Sequence, residues 1–358
     1  MSVRLDSRLT ELLGCKYPIV QTAMGWVADP NLVAGTCNAG GFGFLAGATI
    51  EPENMERDIL AVKALTDKPF GVNFHMYQPN AAHIVDLVIE HGVKAVSYSR
   101  SPGKEMIAKL KDAGVVCMPT VGLPKHAIKA VELGADAVTV QGGAGGGHTG
   151  AVPTTLLIPQ VVDAVGDKVP VVAAGGFKDG RGLVAALSWG AEGVAMGTRF
   201  LMSKEAPVPG ATKQRYVDCH NPGQIIVSRA MDGLPQRMIM NEMLAELEKA
   251  GPIKKTWIAF INGLRFRQYT GASIIGLLKS ALAMSRDDDM TAAQAIMSAN
   301  APMIIQKAMV DGEPDQGVLP SGQVAGVIDE LLSCEEIIQS IVSEAEARLT
   351  VLASRVDR

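Results

Sequence analysis

The chain is 358 residues long, with 38 glycines, 47% hydrophobic and 4% aromatic residues. Glycine above the usual ~7% at ordinary hydrophobicity means many tight corners and excludes a disordered or fibrous chain. The 33 basic and 37 acidic side chains leave a net charge of −4 with no block of like charges, which argues against a nucleic-acid partner.

The N-terminal residues carry Arg4, Asp6, Arg8 and Glu11 and lack the apolar core of a signal peptide, and no apolar run approaches the ~18 residues of a membrane span. The expectation is a cytoplasmic protein without a membrane partner. Cys15, Cys37, Cys117, Cys219 and Cys334 are scattered and form no CxxC pair, so neither a disulfide framework nor a zinc knuckle is expected.

In chain order, short apolar runs read as strands near 18–23 (β1), 42–46 (β2), 69–73 (β3), 94–98 (β4), 115–120 (β5), 136–141 (β6), 170–174 (β7) and 193–197 (β8). Stretches 78–91, 104–113, 124–133 and 179–189 have helical apolar spacing, and each runs into a glycine (Gly92, Gly114, Gly134, Gly190) followed by one of these runs. Those glycines stand where a helix needs a left-handed cap. Eight alternating units predict a (β/α)8 TIM barrel with a C-terminal helical subdomain, not an open sheet. After Phe200 the rhythm stops; helices are expected at 238–249, 273–285, 292–299, 323–332 and 334–348, with no strand pair. The expected organisation is a barrel of 1–205 and 300–358, interrupted by a mainly helical insertion, 206–299, that covers the active site.

Active sites of such barrels lie at the carboxyl ends of the strands. There the chain places Gln21-Thr22-Ala23-Met24-Gly25 after β1, Asn73 after β3, Thr120 after β5, Gly175-Gly176 after β7 and Gly197-Thr198 after β8. Glycines at the last two strands, with the positive N-terminus of the helix after Gly180, suit a phosphate; the plain alternative is a tight strand-to-helix turn. The loop after β6, residues 141–150, has six glycines around His148, including Gly146 and Gly147. A flat ligand could lie against that backbone, with His148 as general base or acid. Asn73 and Gln141 offer donor and acceptor to the edge of a flavin-like ring, or else cap local backbone. His75 is a weaker candidate; His83, His91, His126 and His220 read as helix or surface residues, Cys117 as core, and no metal site is expected. The excess of methionine, more than half of it late in the chain, reads as soft packing. A non-redox barrel binding a phosphorylated metabolite, and a helical interaction module on a degenerate barrel, remain as competing classes.

Together, Gln21-Thr22-Ala23-Met24-Gly25, Gly71-Val72-Asn73, Gln141-Gly142, Gly146-Gly147-His148-Thr149-Gly150, Ala174-Gly175-Gly176 through Gly182, and Gly197-Thr198-Arg199-Phe200 resemble the nitronate monooxygenase family. The resemblance covers nearly the whole chain. It implies a barrel binding FMN non-covalently, with phosphate on Gly175, Gly176, Gly197 and Thr198, and the ring near Ala23, Met24, Asn73 and Gln141. Thr120, Gly146, Gly147 and Gln323 complete the implied cofactor set, and His148 is the implied catalytic residue. Residues 21–28, 140–150 and 317–326 further look like the flavin enzymes of steroid C/D-ring breakdown within this superfamily. Those introduce a ring double bond into a hydrindanone carboxyl-CoA thioester; the alternative substrate is an alkyl nitronate oxidised with O2. Thr120 stands where some quinone reductases of the family carry a lysine. Partners are thus a small-molecule substrate, with a homo-oligomer left open.

Overall fold

The computed structural model describes residues 5–75, 78, 80–99, 103–251 and 301–356. The chain forms two compact units: Met1–Gly145 with Gly150–Pro207 and Glu330–Arg358, and Gly146–Thr149 with Val208–Asp329.

The first unit is a closed barrel of eight parallel strands in sequential order. Its strands are β1 Ile19–Gln21, β2 Phe42–Leu45, β3 Gly71–His75, β4 Ala95–Ser99, β5 Val116–Val121, β6 Val138–Gln141, β7 Val171–Ala174 and β8 Gly193–Met196. Each overlaps an expected strand. Closure comes from β8 pairing with β1, Ile19 opposite Val194 and Gln21 opposite Met196. Gly92, Gly114, Gly134 and Gly190 all have positive φ, between 62° and 105°, so the repeat read in the sequence is a set of left-handed helix ends.

Strand side chains divide between two layers of core. Val20, Phe42, Phe44, Ala95, Met118, Val172 and Ala195 join Leu9 and Leu13 of helix Arg8–Leu13 in one buried cluster. Val72 and Phe74 of β3, with Val96 and Tyr98, which alternate with Ala95 along β4, pack in a second cluster with Ile84, Val88 and Ile107 of the surrounding helices. At roughly 25 cal/mol per Å2 of apolar surface, this two-sided burial dominates the stability of the barrel.

The C-terminal helix Cys334–Val356 lies against helix Gly180–Ser188 within this unit. It extends past the expected end at 348. The expected helix 323–332 is reduced to the 3-10 turn Gln323–Val327; the chain beyond is extended, and Leu332 bridges Ser203.

The second unit corrects two expectations. The barrel resumes at Glu330 and not at 300, and the expected absence of strand pairs fails. Strand Ile225–Ser228 pairs antiparallel with Gln236–Ile239, which also pairs with Leu319–Pro320 and with Gly147–His148. What was read as the start of a helix at 238 is therefore strand, and the helix is Glu242–Lys249, capped by Asn241 Oδ1 accepting from Leu244 N–H at 2.9 Å. Helices Gly210–Val217 and Ala301–Met309 also belong here. Met231 and Met238 fill its core beside Leu244, Leu247 and Ile304, as soft packing predicts. The expected helices 273–285 and 292–299 lie outside the described residues.

Candidate functional site

The carboxyl ends of the barrel strands carry a backbone cradle. Gly175 and Gly176 follow β7 with φ of 92° and 93°, a region that costs other residues strain. A Cβ on Gly175 would stand 2.8 Å from Gly145 N and 2.9 Å from Gly142 O, so the β6 and β7 loops touch through backbone alone. Thr154 Oγ1 donates to Gly175 O at 2.9 Å. In a trans peptide that carbonyl and the Gly176 N–H point in opposite directions, so Thr154 turns the N–H outward. The N–H groups of Gly175 and Gly176 have no acceptor among the described residues, and Gly176 is exposed. On the neighbouring strand end, Gly197 sits against Thr22 Oγ1 (3.1 Å) and Met24 Sδ (3.4 Å), both measured to its ideal Cβ position, which draws the loop after β1 to the end of β8.

The helix that follows this turn does not serve as expected. Gly180 N–H donates to Glu344 Oε2 at 2.9 Å, and Gly182 N–H to Asp179 Oδ1 at 3.2 Å. The N-terminus of helix Gly180–Ser188 is thus already filled by two carboxylates of the chain. An anion here has to rely on the loop amides.

Among the carboxamides, Asn73 Nδ2 donates to Ser97 O (3.0 Å) and Ser97 Oγ (3.1 Å) on the adjoining strand, which fixes the amide plane. Gln141 Nε2 lies 2.7 Å from where a Cβ on Gly145 would be, so it rests on the glycine loop. Thr120 is half-buried, opposite Thr139 of β6. Ala23 and Met24 are half-buried as well. Gln21 is fully buried, and its Oε1 finds no partner among the described residues.

In the second unit, Gly146 is a close-approach position: a Cβ there would collide with the Gly322 backbone N–H and stand 2.6 Å from the Ser321 carbonyl carbon. The Ser321–Gly322 turn is packed on the start of the His148 strand, and Gln323 beside it is exposed. Gly147 has φ 63° and open space around it. His148 Nε2 lies 2.8 Å from Asp232 Oδ2 and 3.1 Å from Gln236 Nε2. Gln236 is the residue directly opposite His148 in the ladder, and its amide also donates to Asp232 Oδ2. The imidazole is 59% exposed while the Asp232 side chain is 3% exposed. Leu234 N–H donates to the other oxygen, Oδ1, at 3.0 Å.

Sequence reasoning missed Asp232 and Gln236. The only local signal is Asp232-Gly233, a turn pair; that the carboxylate is buried beside a histidine 84 residues earlier is visible only in the fold. Arg237, opposite Gly147, has its guanidinium pushed below the ordinary value by burial.

His75 ends β3 and is exposed, with Nδ1 3.1 Å from Ser99 Oγ. His83, His126 and His220 are exposed. His91 does have a carboxylate partner, Glu56 Oε1 at 3.0 Å, and with Glu90 makes a superficial trio on the barrel unit. Cys117 is core, its thiol pushed up to about 12 by burial. No helix among the described residues is long and apolar enough to cross a membrane.

The family model described as nitronate monooxygenase matches residues 6–344. A Rhodococcus jostii protein named (3aS,4S,5R,7aS)-5-hydroxy-7a-methyl-1-oxo-octahydro-1H-indene-4-carboxyl-CoA dehydrogenase is 49% identical over 98% of both chains. A Mycobacterium tuberculosis protein of the same name is 46% identical over 99% of this chain and 100% of its own. Among solved structures, FabK from Thermotoga maritima is similar with a TM-score of 0.78 and 30% identity, covering 98% of this chain and 99% of its own. With its closed eight-stranded barrel and a family match over nearly its whole length, the chain belongs to the nitronate monooxygenase family and is an oxidoreductase.

Proposed function

We propose that the protein is an FMN-dependent dehydrogenase that desaturates the ring of a hydrindanone-type carboxyl-CoA thioester in steroid catabolism. The observation that carries the substrate class is the full-length likeness to the Rhodococcus jostii enzyme, at 49% identity. The cradle fits a flavin phosphate: its outward amides lack protein acceptors among the described residues, and side chains are excluded from Gly175 by backbone on two sides. In this reading Gly175, Gly176, Gly197 and Thr198 hold the phosphate. Ala23, Met24, Asn73, Thr120 and Gln141 face the ring system, with Gly146, Gly147 and Gln323 as further contacts.

When bound, FMN would supply the two-electron acceptor that a desaturation of the thioester requires. His148 removes the proton from the α-carbon, whose acidity comes from the adjacent thioester carbonyl. Asp232 holds the imidazole against rotation, and the carboxylate balances the positive charge that the ring acquires. Asn73, tied to Ser97, loses no side-chain freedom when a ligand binds.

The test compares two substrates on one purified preparation: the hydrindanone carboxyl-CoA thioester and propionate 3-nitronate, with the visible absorption spectrum recorded first. A yellow protein that desaturates the thioester with at least about tenfold higher kcat/KM, a difference of about 1.4 kcal/mol in transition-state stabilisation, supports the proposal. Preference for the nitronate with O2 replaces it by the nitronate reading, and a colourless protein that FMN cannot reconstitute overturns both.

A further inference from the structure

The loop after β1 holds a strained residue at the carboxyl face of the barrel. Among the described residues, Trp26 is the only one other than glycine with positive φ, at 61°. A bulky side chain rarely holds that conformation, whereas glycine holds it without steric conflict. The turn itself does not need the indole. Val27 N–H and Ala28 N–H both donate to Met24 O, at 3.0 and 2.9 Å, and Ala46 N–H donates to Ala28 O at 3.0 Å. Trp26 N–H donates to Thr49 Oγ1 at 3.1 Å. Every one of these bonds uses a backbone group of the loop, so glycine at position 26 would keep them all.

The loop is also anchored. The Cβ position of Gly25 is 2.8 Å from Thr49 Cγ2, and Thr49 Oγ1 donates to Ala46 O at 3.2 Å. Residues 25 and 26 are thereby seated on the 3-10 turn Gly47–Thr49 after β2, which holds Trp26 in its strained conformation. The Trp26 side chain is half-buried, and its indole N–H has no acceptor among the described residues. Strain that the turn does not require, kept at the strand end of a barrel where substrates bind, points to a side chain retained for a ligand.

We propose that Trp26 is a specificity-determining residue, its indole forming a wall against which the hydrindanone rings of the thioester lie. This rests on the substrate class proposed above and extends it to the residue that recognises the rings. Met24, two residues earlier, has its Sδ 3.4 Å from the Cβ position of Gly197, so the same loop borders the last strand end of the cradle. A fused pair of alicyclic rings is a rigid block of C–H surface, and burying it on a flat aromatic face removes apolar area from water on both sides. An indole on an anchored backbone presents that face with few torsions left to order.

The test uses the full-length protein with FMN bound, as wild type, Trp26→Gly and Trp26→Phe. Trp26→Gly removes the indole and the strain together, so its urea midpoint and flavin absorbance should stay near the wild-type values. Its KM for the hydrindanone carboxyl-CoA thioester should rise about 10- to 100-fold with kcat within about threefold, the pattern of a contact made equally to bound substrate and transition state. The Kd of coenzyme A alone should stay within about twofold, because the wall meets the rings and not the carrier. Trp26→Phe keeps an aromatic face and should recover most of the lost affinity.

An unchanged KM in Trp26→Gly overturns the proposal. So does an equal loss of affinity for coenzyme A, and so does a Trp26→Gly protein that sheds flavin and unfolds at lower urea, since the indole would then support the loop. A wild-type protein that does not turn over the thioester overturns the proposed function and this inference together. Wild-type turnover with an insensitive Trp26→Gly overturns this inference alone.

Discussion

Gly175→Ala should be the most damaging single methyl group in the cradle. Two effects add. Alanine at φ 92° carries strain of about 1–2 kcal/mol, and its Cβ would stand 2.8 Å from Gly145 N and 2.9 Å from Gly142 O. Both neighbours are backbone, which cannot rotate away, so overpacking adds about 1–3 kcal/mol. The combined cost is about 2–5 kcal/mol. Gly92→Ala isolates the first effect, because Gly92 has φ 62° and nothing within 4 Å of its Cβ position; it should cost about 1–2 kcal/mol. Urea unfolding of both variants gives the difference, expected at about 1–3 kcal/mol, and flavin absorbance gives the cofactor content. Only Gly175→Ala should lose cofactor, since relieving its clash moves the two loops apart. Equal stability and equal flavin content in the two variants would refute the claim that these loops meet backbone to backbone.

His148→Ala should keep its flavin and lose turnover by about 10²- to 10⁴-fold, the range for removing a general base; unchanged turnover would show that another group takes the proton. The Glu336 carboxyl is held down to about 2 from 4.5, chiefly by the Ser333 N–H and then by Lys204. A depressed folded value gives a contribution that is complete above 4.5 and disappears as pH falls toward 2. The urea midpoints of wild type and Glu336→Gln should therefore differ at about pH 6, draw together below about pH 4.5 and converge only near pH 2, whereas a gap independent of pH would contradict the assignment. Burial pushes the Cys37 and Cys334 thiols up to about 12, so iodoacetamide at about pH 8 should leave both unmodified in the native protein while labelling them in urea, as peptide mass spectrometry would report.

The barrel was legible because its information is local. A run such as Val138–Gln141 after Gly134 needs only its own residues to state that a helix has ended and a strand covered on both faces has begun. That Gly175, Gly176 and Gly197 follow strand ends was legible in the same way. The helix N-terminus after Gly180 was misjudged because Glu344, which fills it, comes from 164 residues further along the chain. The expected helix 238–249 takes in the end of the strand Gln236–Ile239 for a similar reason: the strand's partners, Gly147–His148 and Leu319–Pro320, are remote, and short strands carry little periodicity of their own.

By itself the sequence determined the eight-fold alternation, the glycines that end its helices, and a histidine in a glycine loop after β6. Tertiary structure decided what the histidine is attached to. Asp232 is an ordinary turn residue until the sheet of the second unit sets Gln236 opposite His148 and buries the carboxylate beside the ring. Helix caps and apolar runs act over a few residues and leave a mark at fixed spacing, whereas a buried charge is defined by what surrounds it, and for Asp232 those groups meet only once the chain has folded.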